Sequence, residues 1–401
     1  MADEIPQYPF ANPSALEPPP EWAELRERCP VAPIRFASGD RALVLTRYDD
    51  VRAVLSDPRF TRQLDAPDAA RVTANESGGV FGGDQATSVP EGEMHRQWRS
   101  LVGRAFTAKR VTQARPRITA MAEHLVDDMV ARGAPADLVG ALGFPLPVWV
   151  ICDILGVPDS DRDRFAYWSD AMLSMTRFTQ EEIDRSQEEF HAYLRAHIAA
   201  KRADPGDDLL SELIRITDTG DTALDELVLL GTSQGLLVAG HETTANMIGK
   251  MVAMLLADRT RWERLLADRS LIRPATEEAL RFDANPGFGM PRYLSEETVV
   301  GGEPLPKGTT VVCSLAAANR DERAFADAAT MDLGRSPNPH LSFGAGPHSC
   351  IGQALARTEL QAVLEVLLRR LPSLDLDVPA EELERRDGLV VGGLRRLPVR
   401  W

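Results

Sequence analysis

Apolar residues recur at steps of three and four positions along most of the chain, which is the spacing of one face of an α-helix. Short runs rich in β-branched residues are few. The pattern therefore predicts a mainly α-helical protein with a small β-rich region. Helices are predicted at Trp22–Arg28, Tyr48–Leu55, Arg96–Phe106, Pro116–Ala131, Gln180–Arg202 and Glu359–Arg370, and strands at Ala42–Thr46, Thr298–Val300 and Thr309–Cys313.

The longest helical pattern spans Leu224–Leu256 and follows a Thr222-x-x-Asp225 sequence typical of a helix N-cap. A helix of that length extends roughly 45 Å or more, so its middle should be buried. Two stretches without such a pattern, Thr73–Gly92 and Asn319–Phe343, are predicted to be long loops, which often carry function in compact proteins. Because no repeat or low-complexity linker divides the chain, residues 1–401 are expected to form a single domain.

Charge and composition narrow the classes of protein. The 401-residue chain carries a net charge of -15, which argues against broad nucleic-acid binding. Its acidic, proline-rich N-terminus lacks the basic start and apolar stretch of a signal peptide. No segment approaches the ~18 uncharged apolar residues of a membrane span. We therefore expect a cytoplasmic protein that binds neither nucleic acid nor a membrane.

The four cysteines, Cys29, Cys152, Cys313 and Cys350, lie far apart and predict neither a disulfide framework nor a zinc site. Cys350 lies in Phe343-Gly-Ala-Gly-Pro-His-Ser-Cys-Ile-Gly, where the glycines permit a tight turn and a close approach of the backbone to a flat or bulky group. A helical pattern follows, and a helix N-terminus stabilises a thiolate. A lone cysteine in such a turn is more often a buried structural residue. The prediction of a thiolate at Cys350 therefore rests on the whole pattern and not on the cysteine alone.

The middle of the long helix reads Ala239-Gly240-His-Glu242-Thr243-Thr. A glycine inside a helix costs about 1 kcal/mol relative to alanine, and a buried acid is expensive unless it is paired. One interpretation is a glycine for close helix packing with Glu242 turned to solvent. The other is an oxygen pocket, in which Ala239 and Gly240 leave space over a flat cofactor. The acid and Thr243 would then manage protons.

The cysteine loop resembles the haem-binding loop of cytochromes P-450, F-G-x-G-x-H-x-C-x-G, which Gly352 completes here. The resemblance implies a haem b cofactor with Cys350 as the axial ligand of the iron. It also implies that Phe343 packs beside the sulfur and that His348 reaches a haem propionate. The implied fold is that of this family, with haem between the long central helix and the helix that follows the cysteine loop.

The segment around Thr243 resembles the A-G-x-[DE]-T motif of the same family. The resemblance to this family extends over nearly the whole chain. In that family the alcohol hydrogen-bonds the activated oxygen, and the acid supplies protons through water. The resemblance therefore implies that Thr243, Glu242 and Gly240 form the catalytic segment and that Ala239 contributes to the cofactor pocket.

Glu278 and Arg281 lie three residues apart on one face of a predicted amphipathic helix. An exposed pair of this kind is worth well under 1 kcal/mol and is common on helices. The family, however, has an E-x-x-R motif whose pair is buried with a further arginine from the irregular segment before the cysteine loop. The resemblance implies that Arg335 is this third member.

Haem carries two carboxylates that need cationic partners. His95 and Arg99, four residues apart, resemble the family's propionate-binding H-x-x-x-R helix, and Arg292 resembles its remaining propionate arginine. The usual proline-rich approach to the histidine is replaced here by Glu91-Gly-Glu-Met94, a departure that concerns the shape of the loop.

Several apolar residues occupy places that line the substrate cavity in relatives, and they predict a large, mostly apolar ligand. They are Phe81, Leu237, Phe288, Met290, Leu389 and Val390.

The resemblance implies a monomeric monooxygenase that inserts one oxygen atom from O2 into an apolar small molecule, such as hydroxylation in antibiotic biosynthesis. Epoxidation, ring formation and coupling stay open, and so do a peroxide-driven haem-thiolate enzyme and a haem carrier or sensor. Because the sequence shows no flavin or nicotinamide fingerprint, a separate ferredoxin and its reductase are the expected electron donors.

Overall fold

The computed structural model describes residues 5–73, 91–219, 225–283 and 287–401, and it confirms a mainly helical protein. The helices in these ranges are α1 (Glu21–Arg28), α2 (Tyr48–Ser56), α3 (Gly92–Val102), α4 (Ala108–Arg132), α5 (Pro145–Leu155), α6 (Arg162–Met172), α7 (Gln180–Ala203), α8 (Leu209–Asp218), α9 (Glu226–Leu256), α10 (Arg259–Ala267), α11 (Ile272–Phe282), α12 (Leu315–Ala318) and α13 (Gln353–Arg370). None of these helices is both long enough and apolar enough to cross a membrane.

The β-rich region is small, as predicted. The strands in the described ranges are β1 (Val31–Arg35), β2 (Arg41–Leu45), β3 (Phe60–Thr61), β4 (Ala136–Asp137), β5 (Met290–Leu294), β6 (Thr298–Val300), β7 (Glu303–Leu305), β8 (Thr310–Cys313), β9 (Asp375–Leu376) and β10 (Pro398–Arg400). The main sheet has the strand order β1-β2-β8-β5-β3, in which β2 and β8 run parallel and the other neighbours antiparallel. A three-stranded sheet joins β4, β10 and β9, and β6 pairs with β7.

Helix α9 is the predicted long helix, and most of its 31 residues are buried. Asp225 is its N-cap, because its side chain accepts a hydrogen bond from the Val228 N–H at 2.8 Å, whereas Thr222 lies outside the described residues. Close packing against α5 explains one glycine of α9. A Cβ on Gly240 would lie 2.6 Å from Cγ1 of Ile151, so any side chain there would separate the two helices.

Two predicted helices have different bounds in the structure. Helix α4 begins at Ala108 and runs through Pro116, and the Thr107 hydroxyl caps it by accepting the Arg110 N–H at 3.4 Å. Helix α3 ends at Val102, and the next four residues form a 3-10 turn. Both differences lie at helix ends, where sequence periodicity is weakest.

The long stretch Asn319–Phe343 contains neither a helix nor a strand, as predicted. Its backbone is held by a buried cation, because the guanidinium of Arg281 donates hydrogen bonds to the carbonyls of Asn319, Ala328 and Thr330 at 2.8 to 3.0 Å. Of the other predicted loop, Thr73–Gly92, residues 74–90 lie outside the described ranges. The hydrogen bonds from Arg281 therefore anchor the irregular stretch Asn319–Phe343 on α11.

Candidate functional site

A cavity of about 290 Å³ is bounded by the middle of α9 on one side and by the cysteine loop and the start of α13 on another. Ala239 and Thr243 of α9 line it one helical turn apart. Ala239 is exposed to this space although the helix around it is buried. The centre of the molecule therefore presents small side chains to an open volume instead of a packed core.

The backbone of the cysteine loop forms a tight turn. The Cys350 N–H donates to the Phe343 carbonyl at 2.8 Å, and Gly346 adopts a φ of +68°. A Cβ on Gly346 would lie 2.5 Å from the Leu55 carbonyl oxygen of α2, so only glycine fits there. The thiol of Cys350 lines the cavity and precedes α13 by three residues.

The electrostatics around Cys350 are mixed. Burial raises the pKa of the Cys350 thiol, while the N–H of Gly352 and the charges of Arg99 and Arg357 act in the opposite direction. A Cβ on Gly352 would lie 4.0 Å from the Cys350 sulfur, which places the start of α13 close to the thiol. A metal cation bound to the sulfur would complete the stabilisation of a thiolate.

A polar cluster at the Phe343 ring was not predicted from the sequence. The Arg357 guanidinium lies 4.4 Å from the centre of the Phe343 ring and forms an ion pair with Glu277 at 2.8 Å. The His340 side chain is also buried, with its Nε2 3.1 Å from Glu277. The two partners are 63 residues apart, so only the fold reveals the pairing. The cluster holds the ring of Phe343, the residue whose carbonyl accepts from the Cys350 N–H.

The predicted propionate residues of α3 lie beside the cysteine loop, whose His348 lines the cavity. The rings of His95 and His348 lie 4.1 Å apart, and the Arg99 guanidinium donates to the Ser349 hydroxyl at 3.3 Å. Burial, His348 and Arg62 together lower the pKa of His95 to about 4. The α3 helix and the cysteine loop therefore meet at this edge.

Glu91 connects this cluster to Arg62, the residue that follows β3. Its carboxylate accepts from Arg62 and from His348, each at 2.9 Å. Burial alone would raise the pKa of Glu91, but the hydrogen bond from His348 and the charge of Arg62 lower it to about 2. The segment that replaces the family's proline-rich approach thus places a carboxylate against His348, which was predicted to reach a propionate.

Arg292 lies on β5, two residues after Met290, and both line the cavity because alternate residues of a strand point to the same side. It is only 3% exposed, and within the described ranges no carboxylate forms an ion pair with it. Burial lowers its pKa. A buried arginine of this kind needs an anionic partner.

Arg281 and Glu278 form a fully buried ion pair at 2.7 Å, and Arg335 joins it at 3.1 Å. The three predicted residues are therefore brought together, and the pair is not an exposed one. Glu278 also accepts from the Asp332 N–H at 2.8 Å and from Asn338 at 3.0 Å. Its carboxylate ties the irregular segment to α11.

The predicted substrate residues fall into three groups. Met290 lines the cavity, and Phe81 lies outside the described residues. Leu237 is fully buried in the core, and the preceding residue, Leu236, lines the cavity in its place because one residue turns a helix by about 100°. Phe288, Leu389 and Val390 are buried in the same hydrophobic core and do not line this cavity.

Glu359 of α13 is a further residue that the sequence analysis did not single out. It lines the cavity, is 1% exposed, and its Oε2 has no hydrogen-bond partner among the described residues. Burial raises its pKa well above the usual range. An acid on the apolar side of a predicted helix was the available signal.

A flat macrocycle with one axial thiolate and two carboxylates fits these residues. The Cys350 thiol opens into the cavity, and α9 presents the small side chain of Ala239. Arg292 and His348 also line the cavity, and Arg99 contacts Ser349 of the cysteine loop. The arrangement of a thiolate, an apolar slot and nearby cations defines a haem-thiolate protein.

Comparisons with known proteins agree with that class. The cytochrome P-450 family profile matches residues 148–391. The mycinamicin IV hydroxylase/epoxidase of Micromonospora griseorubida is 43% identical and the nocardicin C N-oxygenase of Nocardia uniformis subsp. tsuyamanensis 41% identical, each match covering 98% of both chains. The chain belongs to the cytochrome P-450 family. It is a monooxygenase, and its cofactor is haem.

A solved structure extends the likeness to the fold. The cytochrome P-450 enzyme CxnD for C–S bond formation in chuangxinmycin biosynthesis is 34% identical and superposes with a TM-score of 0.89, covering 100% of this chain and 98% of its own. The names of these three relatives give different reactions: hydroxylation or epoxidation, N-oxygenation, and C–S bond formation. The fold is therefore compatible with several oxidations.

Removal of either Arg99 or Arg292 should weaken haem retention. Each lost charge-assisted hydrogen bond is worth about 1.5–3 kcal/mol, so Arg99→Gln and Arg292→Gln should each lose haem to apomyoglobin about ten- to a hundredfold more readily than wild type. Arg104→Gln is a matched control, because Arg104 has a 57% exposed side chain and lies 4.0 Å from Glu212. Wild-type retention in both Arg99→Gln and Arg292→Gln would contradict their assignment as anchors.

Proposed function

We propose that this cytochrome P-450 inserts one oxygen atom from O2 into a large, apolar small molecule of secondary metabolism, such as an antibiotic precursor, by hydroxylation. The observation that carries the proposal is one cavity lined both by the Cys350 thiol and by the Ala239–Thr243 segment of α9. The rest of the lining is mostly apolar, with Leu236, Met247 and Met290 among its members. Such a surface recognises an apolar ligand by burial.

Bound haem would supply the activation of O2, and the residues of this chain hold and orient it. Cys350 would bind the iron, with Phe343 fixed beside the sulfur by the guanidinium of Arg357. Arg99 and Arg292 would neutralise the two propionates. These contacts come from three separate elements, α3, β5 and the cysteine loop, so the cofactor would be held on several sides.

On the opposite side, α9 manages protons. The Thr243 hydroxyl donates to the Ala239 carbonyl at 2.9 Å, one turn earlier, which fixes its oxygen at the cavity surface. Glu242 is 2% exposed and points away from solvent. The interpretation that turned Glu242 to solvent is therefore wrong, although Gly240 does serve the close packing against Ile151. We assign Thr243 and Glu242 to proton delivery.

The proposed electron donors are a ferredoxin and its reductase, and the proposed state is a monomer. The support is the family membership together with the lack of a flavin or nicotinamide fingerprint in the sequence.

A ligand screen for substrate-induced shifts of the haem spectrum would identify substrates. Product formation is then compared between ferredoxin, reductase and NAD(P)H on one side and hydrogen peroxide alone on the other. Equal turnover with peroxide alone would favour the peroxide-driven alternative, and no turnover in either arm would favour a haem carrier or sensor.

Thr243→Ala should keep substrate binding while diverting reducing equivalents to hydrogen peroxide. Positioned proton-transfer groups contribute about 10²–10⁴-fold in rate, so we expect product per NAD(P)H to fall about tenfold or more. Thr243→Ser keeps the hydroxyl and should retain most of the coupling. The measurement is product and peroxide per NAD(P)H consumed. Full coupling in Thr243→Ala would mean that another group handles the protons.

A further inference from the structure

His241 and Glu242 are neighbours on α9, and their side chains are 1% and 2% exposed. The Nδ1 atom of His241 lies 2.6 Å from the Leu237 carbonyl oxygen. A carbonyl oxygen can only accept, so Nδ1 carries a hydrogen. If the ring is neutral, the other nitrogen, Nε2, then presents a lone pair.

That lone pair faces a carboxylate. Nε2 of His241 lies 3.5 Å from Oε1 of Glu242, and neither atom has another hydrogen-bond partner among the described residues. A neutral imidazole and an ionised carboxylate would bring two acceptors together in a buried place, which is unfavourable. One additional proton between the two atoms turns the same contact into a charge-assisted hydrogen bond.

The surroundings of Glu242 decide where this proton rests. Its second oxygen, Oε2, faces the Arg386 guanidinium at 3.6 Å and accepts from the Asn246 amide at 3.4 Å. Arg386 also forms an ion pair with Asp170 of α6, whose carboxylate pairs with Arg177 at 3.0 Å. On the other side, the Phe144 ring packs edge-on against His241 at 5.5 Å and brings no charge.

These groups form a line that leads inward, in the order Asp170, Arg386, Glu242 and His241. The charges of the first three alternate. The side chains of Asp170 and Arg386 are 16% and 19% exposed, against 2% and 1% for the inner two. Burial works to raise the pKa of Glu242, but His241 and Arg386 lower it. These contacts favour the ionised form of the Glu242 carboxylate, next to the imidazole of His241.

We propose that His241 holds a transferable proton on Nε2 against Glu242, as a buried imidazolium–carboxylate pair beside the oxygen-activating cavity. The inference rests on the proposed function and deepens it. In one step the proton moves from Nε2 to Oε1, which leaves a neutral imidazole and a neutral carboxyl. The carboxyl then donates its proton toward the cavity, and a proton from water restores the imidazolium. His241 is therefore a positioning and proton-storing residue for Glu242.

The protonation state can be measured without any turnover. The chain has 7 histidines, so ¹⁵N-histidine labelling of the holoenzyme gives few signals, and the diamagnetic ferrous carbon monoxide form keeps them sharp. His241→Asn identifies the His241 signals. At pH 8, where an ordinary histidine with a pKa of about 6.5 is neutral, we expect both His241 nitrogens to carry hydrogen. His124 is an internal reference, because its side chain is 65% exposed to solvent.

Glu242→Gln should convert His241 to a neutral ring, because the amide replaces the anion that retains the proton. A lone-pair signal at Nε2 of the wild-type protein at pH 8, equal to that in Glu242→Gln, would overturn the proposal. This outcome is distinct from failure of the proposed function, which would show as no product in either electron-donor arm.

Turnover gives a second readout. His241→Asn should leave the carbon monoxide spectrum unchanged, while its product per NAD(P)H falls as the pH rises from 6.5 to 8.5. The reason is that Glu242 then depends directly on protons from water, whereas wild type should change little over that range. Wild-type coupling in His241→Asn across the whole range would also overturn the proposal.

Discussion

Reduced Cys350→Ala protein is expected to lose the strongly red-shifted Soret band that carbon monoxide gives with a thiolate-bound haem. Among the described residues, Cys350 is the only cysteine that lines the cavity. No neighbouring thiol can therefore take over. The measurement is the difference spectrum of the reduced protein with and without carbon monoxide.

The other three cysteines provide matched controls. Cys29 is exposed, whereas Cys152 and Cys313 are buried in α5 and β8, and burial raises the pKa of each of these two thiols to about 12. None of the three lines the cavity. Alanine at each position should leave the red-shifted band in place. A wild-type band in Cys350→Ala would contradict the assignment of the iron ligand.

Local patterns predicted the parts of the site that lie close together in the sequence. The cysteine loop and the middle of α9 are each readable within ten residues, because turn geometry and helix packing act on near neighbours. Gly346 illustrates this, since its φ of +68° belongs to the turn itself and favours glycine. The long buried helix was predictable for the same reason, because apolar residues cover almost all of its faces.

The polar partners that come from distant segments were not predictable. Glu242 meets Arg386 from the irregular stretch between β9 and β10, and Glu277 meets His340 and Arg357 across α11 and α13. Charged residues occur on most helices, so no local pattern distinguishes those that will be buried together. The placement of Leu236 rather than Leu237 in the cavity has a similar cause, because both are apolar and only the helix orientation separates them.

The buried ion pair shows how much this difference in environment matters. Glu24 and Arg28 on α1 form an ion pair at 3.1 Å with side chains that are 63% and 79% exposed, whereas those of Glu278 and Arg281 are fully buried. The sequence offers both as acid and arginine three or four residues apart on one helix. Exposed pairs contribute about 0–1 kcal/mol, but breaking a buried pair costs about 3–5 kcal/mol because it leaves an uncompensated charge.

We therefore expect Glu278→Gln to lower the free energy of unfolding by about 3–5 kcal/mol. The substitution leaves Arg281 and Arg335 in contact with a neutral amide, which also cannot accept from the Asp332 N–H, Asn338 and both guanidiniums at once. Glu24→Gln is the matched control and should change the free energy of unfolding by less than about 1 kcal/mol. Urea unfolding of the haem-loaded variants, followed by far-ultraviolet circular dichroism, gives both values. Equal, small effects would mean that the polar atoms of the irregular segment, and not the buried charge, hold it to α11.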